Sequence, residues 1–456
     1  MKILLSLWMT AALFLCSCAT FETPKPQATG ANAPPAQLQK VWNDPDLLFK
    51  EAQKAYDESN YPLSLTALDR ILASYPKSDV YGDAKKMADE IQSRLGLAGL
   101  KIGVLLPLTG SFSRFGDSAL NGISCAIGLF DPCGSSTSKI QIVVKDTKGN
   151  AGTTAEALKE LVEKEKVSAI IGPLTSVEAA SATTQAQMLG VPVIVLAPQA
   201  GLTQAGDFIF QHTLLPETEV TALVNQLSKT DLKKFVIIYP KSKYGEEYKN
   251  LFAAQLQKSG IGKIIAEKSY AQDIPDFVGM LEQLSKEPAV EKILGGKKPD
   301  TLGIFIPDSY KQVAEMAQGL AALNIQGPKL IGTSRWYHPQ LLAGASPALE
   351  GALFDTPFYP EANLEAARKF SGDFFKAYGN QPAWLEAFGY DSARLLMQAI
   401  ASTGSEQPLS VRNGLLGIQS FPSVAGPLSW TEQRVSTWPP ELITIRDGKF
   451  VPVQGP

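Results

Sequence analysis

Residues 101–122 read KIGVLLPLTGSFSRFGDSALNG, and this stretch decides the fold that the sequence predicts. The apolar run KIGVLL ends in a loop that contains proline and glycine, and a helical pattern follows over Asp117–Gly128. The same order of apolar run and helix repeats along the chain. The predicted strands are Lys101–Leu106, Ile140–Lys145, Ala169–Gly172, Val191–Leu196, Phe235–Tyr239, Ile264–Ser269, Leu302–Ile306 and Lys329–Gly332. The predicted helices are Asp117–Gly128, Thr153–Lys164, Val177–Leu189, Glu217–Ser228, Tyr244–Gly260 and Tyr310–Leu323.

This alternation predicts an α/β fold with parallel sheets that are covered on both faces, because the strands are apolar along nearly their whole length. About 350 residues in one such pattern are more than a single sheet usually carries, so we expect two lobes. In folds of this kind a ligand binds beyond the carboxyl ends of the strands, which here predicts a site in the cleft between the lobes.

A series of short motifs in this region resembles one known family. The motifs are Pro107-Leu108-Thr109-Gly110, Phe115-Gly116-Asp117, Asn121-Gly122, Ile171-Gly172-Pro173, Val191-Pro192 with Ala197-Pro198, Tyr244-Gly245, Ala387-Phe388-Gly389-Tyr390-Asp391, Gly426-Pro427-Leu428 and Asp447-Gly448-Lys449-Phe450. Taken in this order, they resemble the leucine/isoleucine/valine-type solute-binding proteins, which have the type I periplasmic-binding fold. The resemblance covers residues 100–456 and implies two parallel-sheet lobes with a ligand between them.

The resemblance also implies a set of ligand-binding residues. Two loops of the first lobe would hold a ligand carboxylate with hydroxyl and backbone N–H groups, and aromatic side chains would form a wall. The loop residues are Thr175, Ser176, Ala200 and Gly201, and the aromatic residues are Phe115, Tyr244 and Tyr310. Gly201 departs from the family, because a hydroxyl-bearing residue is usual there. Each residue also has a structural interpretation: Thr175 and Ser176 suit a helix cap, and Phe115 and Tyr244 suit packing at the lobe surface.

A larger departure follows the predicted strand Lys329–Gly332. In the family a glutamate at this place binds the ammonium group of the ligand, whereas this chain reads Thr333-Ser334-Arg335-Trp336. An unpaired buried ammonium group is costly, and Arg335 would repel it. The sequence therefore favours a neutral or acidic ligand, or no small ligand, with Arg335 as an anion-binding residue or a solvated loop charge. Trp336 or its neighbour Tyr337 is expected to be an exposed aromatic of a binding surface.

The N-terminus predicts export. Residues 1–17 carry Lys2 and a short apolar run, which is typical of a secretory signal. Ser17 before Cys18 resembles the lipobox of bacterial lipoproteins, which implies that Cys18 is acylated and becomes the mature N-terminus; the alternative is an ordinary cleaved signal. Acyl chains would anchor the protein to the membrane. Ala19 stands where an aspartate would signal inner-membrane retention, so the resemblance implies the outer membrane, facing the periplasm.

Two further segments precede the α/β domain. Residues 18–42 are rich in proline and poor in apolar residues, which predicts an extended tether. Residues 43–97 show helical periodicity in three stretches and resemble a tetratricopeptide repeat; a helical hairpin packed on the main domain is the alternative. A lipidated anchor and a helical segment ahead of such a domain resemble the lipoprotein activators of penicillin-binding proteins, which are protein-interaction modules.

Composition excludes several functions. The net charge of −3 and the lack of a basic stripe argue against nucleic acid as a partner. Two histidines, far apart in sequence, and no Cys/His cluster argue against a metal site. No nucleotide-binding or nucleophile motif is present, so we expect no cofactor, no catalytic residues and no enzymatic activity. Cys125 and Cys133 flank turn-forming residues and predict a disulfide in an oxidising compartment, with two free buried thiols as the alternative.

Two functions from different classes remain. The first is an interaction role, in which the protein regulates a peptidoglycan synthase as the activator lipoproteins do. The second is capture of a small solute, an amino acid or a related molecule, for a transporter permease or as a sensor. Outer-membrane placement and the helical segment favour the interaction role, and the hydroxyl loop and aromatic wall favour solute capture. On the sequence alone, the interaction role is slightly preferred.

Overall fold

The computed structural model describes residues 44–95, 100–133, 140–271, 276–296, 301–344 and 346–453. The predicted signal peptide (1–17), the predicted acylation site Cys18 and the predicted tether (18–42) lie outside these residues. The elements within them are three leading helices and two α/β lobes, as the alternation of strands and helices predicts.

The leading segment consists of three helices. They are α1 (Pro45–Asp57), α2 (Tyr61–Ser74) and α3 (Tyr81–Leu95). Helices α1 and α2 begin at capping residues. The Asp44 carboxylate accepts from the backbone N–H of Asp46 at the start of α1, and the Asn60 side-chain oxygen accepts from the backbone N–H of Leu63 at the start of α2. The apolar residues of α1, such as Leu48 and Ala52, face α2.

The first lobe holds a parallel sheet of five strands in the order β2-β1-β3-β4-β5. Its elements are β1 (Leu100–Leu106), α4 (Ser113–Ile127), β2 (Ile140–Asp146), α5 (Ala151–Glu163), β3 (Ala169–Ile171), α6 (Ser176–Leu189), β4 (Val193–Val195) and β5 (Ile209–Gln211). The strands are buried on both faces, as apolar runs require. Helix α4 begins at Ser113, before the predicted Asp117, so that Phe115 and Gly116 lie in its first turn rather than in a loop.

The second lobe holds a mixed sheet of seven strands in the order β15-β14-β10-β9-β8-β6-β7, in which β14 and β15 are antiparallel. The elements up to β10 are α7 (Pro216–Leu227), β6 (Lys234–Pro240), α8 (Lys243–Ser259), β7 (Lys263–Tyr270), α9 (Phe277–Ser285), α10 (Pro288–Leu294), β8 (Leu302–Phe305), α11 (Tyr310–Ala322), β9 (Lys329–Ile331), α12 (Pro339–Ala343) and β10 (Leu353–Thr356). The chain then returns to the first lobe and ends in the second. These last elements are α13 (Glu365–Tyr378), α14 (Trp384–Thr403), α15 (Pro408–Leu416), β11 (Phe421–Ser423), β12 (Gly426–Trp430), β13 (Ser436–Thr437), β14 (Glu441–Arg446) and β15 (Lys449–Pro452).

The leading helices pack on the first lobe at its edge strand. Helix α2 runs along β2, and the Thr66 hydroxyl accepts a hydrogen bond of 2.9 Å from the backbone N–H of Ile142. Because an edge strand presents unpaired N–H and C=O groups, this contact covers part of an otherwise open sheet edge. Arg70, whose side chain is 2 % exposed, pairs with Asp117 of α4 at 3.3 Å. The leading helices therefore pack on the main domain, and their resemblance to a tetratricopeptide repeat stays a prediction.

Cys125 and Cys133 form a disulfide in the structure, with Cα atoms 4.7 Å apart. Cys125 lies near the end of α4, and Cys133 follows the turn after it. Between them, Asp131 forms an exposed ion pair of 2.8 Å with Lys54 of α1. The two ends of α4 are thus each joined to the leading helices, one through Asp117 and one through Asp131.

Candidate ligand-binding cleft

The connections between the lobes show which sheet edges face each other. Strand β5 of the first lobe leaves at its carboxyl end through His212–Leu215 and enters the second lobe at α7. Strand β10 of the second lobe leaves at its carboxyl end through Pro357–Leu364 and enters α13, whose Tyr378 hydroxyl donates to the Asn121 carbonyl oxygen of the first lobe at 3.1 Å. Because both crossings leave from the carboxyl ends of parallel strands, those two edges face one another across a cleft, as predicted for this fold class.

In both lobes, a glycine in the first turn of a helix places an aromatic residue at the cleft. After β1, the Cα of Gly116 lies so close to the strand end that an added Cβ would be 2.1 Å from the Pro107 carbonyl oxygen. After β6, an added Cβ on Gly245 would be 2.2 Å from the Pro240 carbonyl oxygen. Only glycine allows these approaches, and each places the preceding aromatic residue, Phe115 or Tyr244, in the first turn of a cleft-facing helix.

The first-lobe side of the cleft is apolar and exposed. The Phe115 side chain is 49 % exposed and that of Phe112 is 45 % exposed, and their ring centroids are 6.5 Å apart. Val177, in the first turn of α6, is 68 % exposed. Large apolar side chains exposed together at the carboxyl edge of a sheet are typical of a ligand-binding wall. Phe115 is therefore placed where the sequence analysis expects a binding residue.

The two predicted hydroxyls after β3 have different surroundings. The Thr175 hydroxyl donates to the Glu178 carboxylate at 2.5 Å, and the Thr175 N–H donates to the same oxygen at 3.0 Å. Thr175 thus has the capping role that was its structural alternative. Ser176 is exposed at the start of α6, a helix of 14 residues. Ser176 and the N-terminus of α6 are the polar groups that this loop offers to a ligand.

The loop after β4 contributes backbone rather than side chains. Ala200 and Gly201 are exposed, and Gly201 has a φ of 82°, a conformation that glycine adopts without strain. The Gln211 side-chain amide donates to the carbonyl oxygens of Ala197 at 2.7 Å and Gln199 at 2.8 Å. This loop is therefore fixed from within the lobe, and its turn requires a glycine where the family has a hydroxyl.

In the second lobe, neighbouring side chains fix the ring of Tyr244, which forms a shelf at the edge of the cleft. Its hydroxyl and the Thr333 hydroxyl are hydrogen-bonded at 2.8 Å, and its ring lies 4.3 Å from that of Tyr248. Burial raises the pKa of Tyr244, and the nearby Glu219 carboxylate adds to that effect, so the hydroxyl stays protonated. The guanidinium carbon of Arg335 lies 3.5 Å from the centroid of the Tyr244 ring, which is a cation–π arrangement.

A buried carboxyl pair lies beneath the loop that carries Arg335. Glu219 of α7 accepts from the backbone N–H of Ser334 at 2.6 Å and from the Tyr248 hydroxyl at 2.5 Å. Asp355 of β10 is fully buried beside Glu219. Burial, and then the Glu219 charge, raise the pKa of Asp355 well above its ordinary value, which favours its protonated form. Glu219 fixes the loop from below.

The expectation that Trp336 is exposed at a binding surface is wrong. Its side chain is 0 % exposed and packs in the core of the second lobe, 5.8 Å from the Phe354 ring. Its indole N–H donates to the Ile306 carbonyl oxygen at 3.1 Å. The 3-10 turn Ser334–Trp336 turns Trp336 inward and leaves Arg335 exposed. Tyr337, the neighbour considered with it, is half-buried against Tyr359 and Phe450.

Tyr310 lies at the start of α11, after β8, at the same carboxyl edge. Its ring stacks on that of His338 with centroids 3.8 Å apart and planes 3° apart, and its hydroxyl donates to the Gln340 side chain at 2.8 Å. One face of the ring and the hydroxyl are thus occupied within the second lobe. Tyr310 is half-buried, so part of its side chain stays exposed at this edge.

Glu219 and Asp355 were not predicted from the sequence as residues of this site. Glu219 is 115 residues from Ser334 in sequence. In the sequence, Pro216-Glu217-Thr218-Glu219 indicates only acidic residues in the first turn of a helix, where they favour the helix dipole. No local signal distinguishes the buried Glu219 from the exposed Glu217.

The crossing segments are tied together by an aromatic cluster. His212 is fully buried, lies 3.1 Å from the Ser392 hydroxyl, and contacts the rings of Phe388 and Trp438. Burial lowers the pKa of His212 to about 3, so the ring is neutral at ordinary pH. The Trp438 indole N–H donates to the Pro357 carbonyl oxygen at 3.3 Å. This bond joins the segment after β10 to the segment between β13 and β14, where the chain crosses back to the second lobe.

The described ranges contain neither a metal-ligand cluster nor a membrane-spanning helix. Between residues 44 and 453, apart from the gaps given above, no three His, Cys, Asp or Glu side chains are gathered as metal ligands would be. Within those same ranges, no helix has the length and apolar character needed to cross a membrane.

The fold and the cleft define a two-lobed periplasmic-binding architecture. The chain matches the periplasmic binding protein family over residues 99–437, and it belongs to that family. It is 24 % identical over 346 residues to the Leu/Ile/Val-binding protein BraC3 of Rhizobium johnstonii, a match that covers 74 % of this chain and 89 % of the relative. This confirms the family that the sequence motifs indicate.

Two other similarities bear on the fold. The chain is 24 % identical over 232 residues to glutamate receptor 2.7 of Arabidopsis thaliana, which covers 50 % of this chain and only 24 % of the receptor. The crystal structure of a leucine binding protein from Thermotoga maritima matches with a TM-score of 0.60 and 23 % identity, over 78 % of this chain and 98 % of that one. The predicted fold class is therefore confirmed.

Proposed function

We propose that this protein binds a small solute in the cleft between its lobes and presents it to a transporter permease or a sensor. The observation that carries the proposal is the pairing of an exposed aromatic wall with fixed polar groups on the two facing sheet edges. Phe115 and Ser176 lie on one edge, and Tyr244 and Arg335 lie on the other. Membership of a family whose relatives include Leu/Ile/Val-binding proteins supports solute capture over the interaction role that the sequence alone slightly favours.

Solute binding has a direct thermal test. A cleft ligand at 100 times its dissociation constant stabilises the folded protein by about 2.7 kcal/mol. We expect a panel of amino acids, organic acids and their amides to contain solutes that raise the melting temperature by about 2 °C or more. Tyr244→Ala should abolish the shift, because it removes the shelf under the ligand site.

Phe375→Ala is the matched control for this test, because Phe375 is an exposed aromatic on α13 and not on a cleft-facing loop. It should leave the shift intact. A panel without any shift, or a shift that survives Tyr244→Ala unchanged, would argue against solute capture in the cleft.

We further propose that the protein is held at the periplasmic face of the outer membrane by acyl chains on Cys18. The lipobox-like Leu15-Cys16-Ser17-Cys18 motif supports this placement. In a bacterial host, we expect Cys18→Ala to move the protein from the membrane fraction to the soluble fraction while its circular dichroism spectrum stays the same. Mass spectrometry of the mature N-terminus provides the direct readout, and an unmodified Cys18 in the membrane fraction would contradict the anchor.

Regulation of a peptidoglycan synthase is the second candidate function. The three helices ahead of the binding domain favour it, because helical repeats serve as contact surfaces. Helix α2 is occupied by packing on β2, so a partner would contact α1 and α3. Capture of a synthase by the full chain, lost on charge reversal at Lys50 of α1 and Lys85 of α3, is the test of this role.

A further inference from the structure

We infer that the solute is an apolar monocarboxylate without an ammonium group, and that Arg335 is the residue that selects it. This inference rests on the proposed solute-binding function and specifies its ligand. It depends on four features of the second lobe and the facing wall: the free donors of Arg335, the state of the carboxyl groups near it, the fixed Tyr244 shelf, and the apolar first-lobe side.

Arg335 is available to a ligand. Its side chain is exposed at the carboxyl edge of the sheet, and within the described residues it forms no ion pair. Among the described residues, Arg335 contacts the face of the Tyr244 ring, which fixes the plane of the guanidinium group, and its N–H groups donate to no other residue of those ranges. A planar guanidinium group with free donors matches a carboxylate in a two-point hydrogen-bonded pair.

The carboxyl groups near Arg335 are already engaged. Glu219 is 2 % exposed and accepts from Ser334 and Tyr248, and Asp355 beside it is fully buried. Asp308, at the end of the neighbouring strand β8, accepts from the Tyr270 hydroxyl and the Ser309 N–H. Among the described residues, no carboxylate lies within ion-pairing distance of the Arg335 guanidinium group. A ligand ammonium group would meet a cation here without an acceptor, which is unfavourable once water is excluded.

The geometry is fixed before a ligand arrives. The Tyr244 hydroxyl is bonded to Thr333, its ring packs on Tyr248, and the loop is held by Glu219. Because side chains and loop are already ordered, binding costs little further conformational entropy. The facing wall of Phe112, Phe115 and Val177 offers an apolar surface to the rest of the ligand. A carboxylate at one end and a hydrocarbon body at the other suit this cleft.

Three probes with one carbon skeleton separate the possibilities: 4-methylpentanoate, 4-methylpentanamide and L-leucine. They carry, respectively, a carboxylate alone, no charge, and a carboxylate with an ammonium group. Titration calorimetry on the full mature chain should show 4-methylpentanoate binding at least tenfold more tightly than the other two. Since a hydrogen-bonded charge pair is involved, Arg335→Gln should weaken the carboxylate by roughly ten- to a hundredfold and leave the amide unchanged.

Two further variants keep the test decisive. Arg335→Lys keeps the charge but not the planar fork, so it should retain part of the preference for the carboxylate. Lys258→Gln removes an equivalent exposed charge near the end of α8 and should change nothing. Equal or tighter binding of the amide or leucine, or unchanged carboxylate binding by Arg335→Gln, would overturn the inference and leave solute capture standing. Failure of all three probes would also overturn it, and the solute panel then decides separately whether the cleft binds another class.

Discussion

Gly122→Ala should destabilise this protein by about 2–3 kcal/mol, although alanine is the better helix former. Gly122 of α4 lies against α14, and an added Cβ would be 1.9 Å from the Glu386 carbonyl oxygen. The contact is reciprocal, because an added Cβ on Gly389 of α14 would be 2.1 Å from the Ala119 carbonyl oxygen. Both obstacles are backbone atoms, so the helices must move apart. Since α4 also carries Phe115, solute affinity should fall as well.

The matched control is Gly372→Ala. Gly372 lies in the interior of helix α13 with nothing within 4 Å of an added Cβ. The same substitution should stabilise the protein here by roughly 0.5–1 kcal/mol, because only helix propensity changes. Chemical denaturation of both variants measures the two effects. Equal stability of Gly122→Ala and the wild type would show that the two helices do not pack as closely as the structure has them.

Asp69→Asn should stabilise the protein at pH 8 by about 1–3 kcal/mol and have little effect at pH 4. Asp69 of α2 lies against the lobe surface, where the Gln141 side chain donates to it at 2.9 Å. Burial raises the pKa of Asp69 to about 7, the Gln141 hydrogen bond lowers it in part, and Glu165 adds to the rise. A raised carboxyl pKa means that the folded protein binds the proton more tightly than the unfolded chain does.

The stability that the protonated Asp69 provides is therefore present below about pH 4 and is lost as the pH rises toward 7. Asparagine keeps the hydrogen-bond acceptor and removes the titration. Urea unfolding at the two pH values gives the difference between variant and wild type, and Asp83→Asn, on the exposed side of α3, controls for loss of a surface charge. A gain of equal size at both pH values would contradict the assignment.

The helical segment shows what the sequence could predict and where it left alternatives. Three helices within residues 43–97 were predicted from apolar spacing, and the structure has three helices there. Their packing on the main domain depends on contacts such as that of Thr66 with Ile142, two residues that are 76 positions apart. Periodicity reports which face of a helix is apolar but not which surface that face meets.

The cleft-facing residues also divide into those whose place was predicted from the sequence and those whose place only the structure shows. Phe115, Tyr244 and Arg335 were predicted at the sheet edges, because strand ends are local features of the chain. Trp336 was predicted at a surface and is instead buried, because one 3-10 turn directs adjacent side chains to opposite sides of the loop. The glycine motifs were recognised as markers of a family, and only the structure gives their physical reason, which is the close approach of backbones.

The sequence by itself determined the α/β class, the two lobes and the family, because strand and helix signals are set by neighbours in the chain. The tertiary structure decided which charges are free in the cleft. Glu219 is engaged under the loop while Arg335 stays exposed, since the loop folds over an acidic residue that lies 115 positions away in sequence. Burial and pairing of charges depend on such distant contacts, and they determine which ligand charge the cleft can accept.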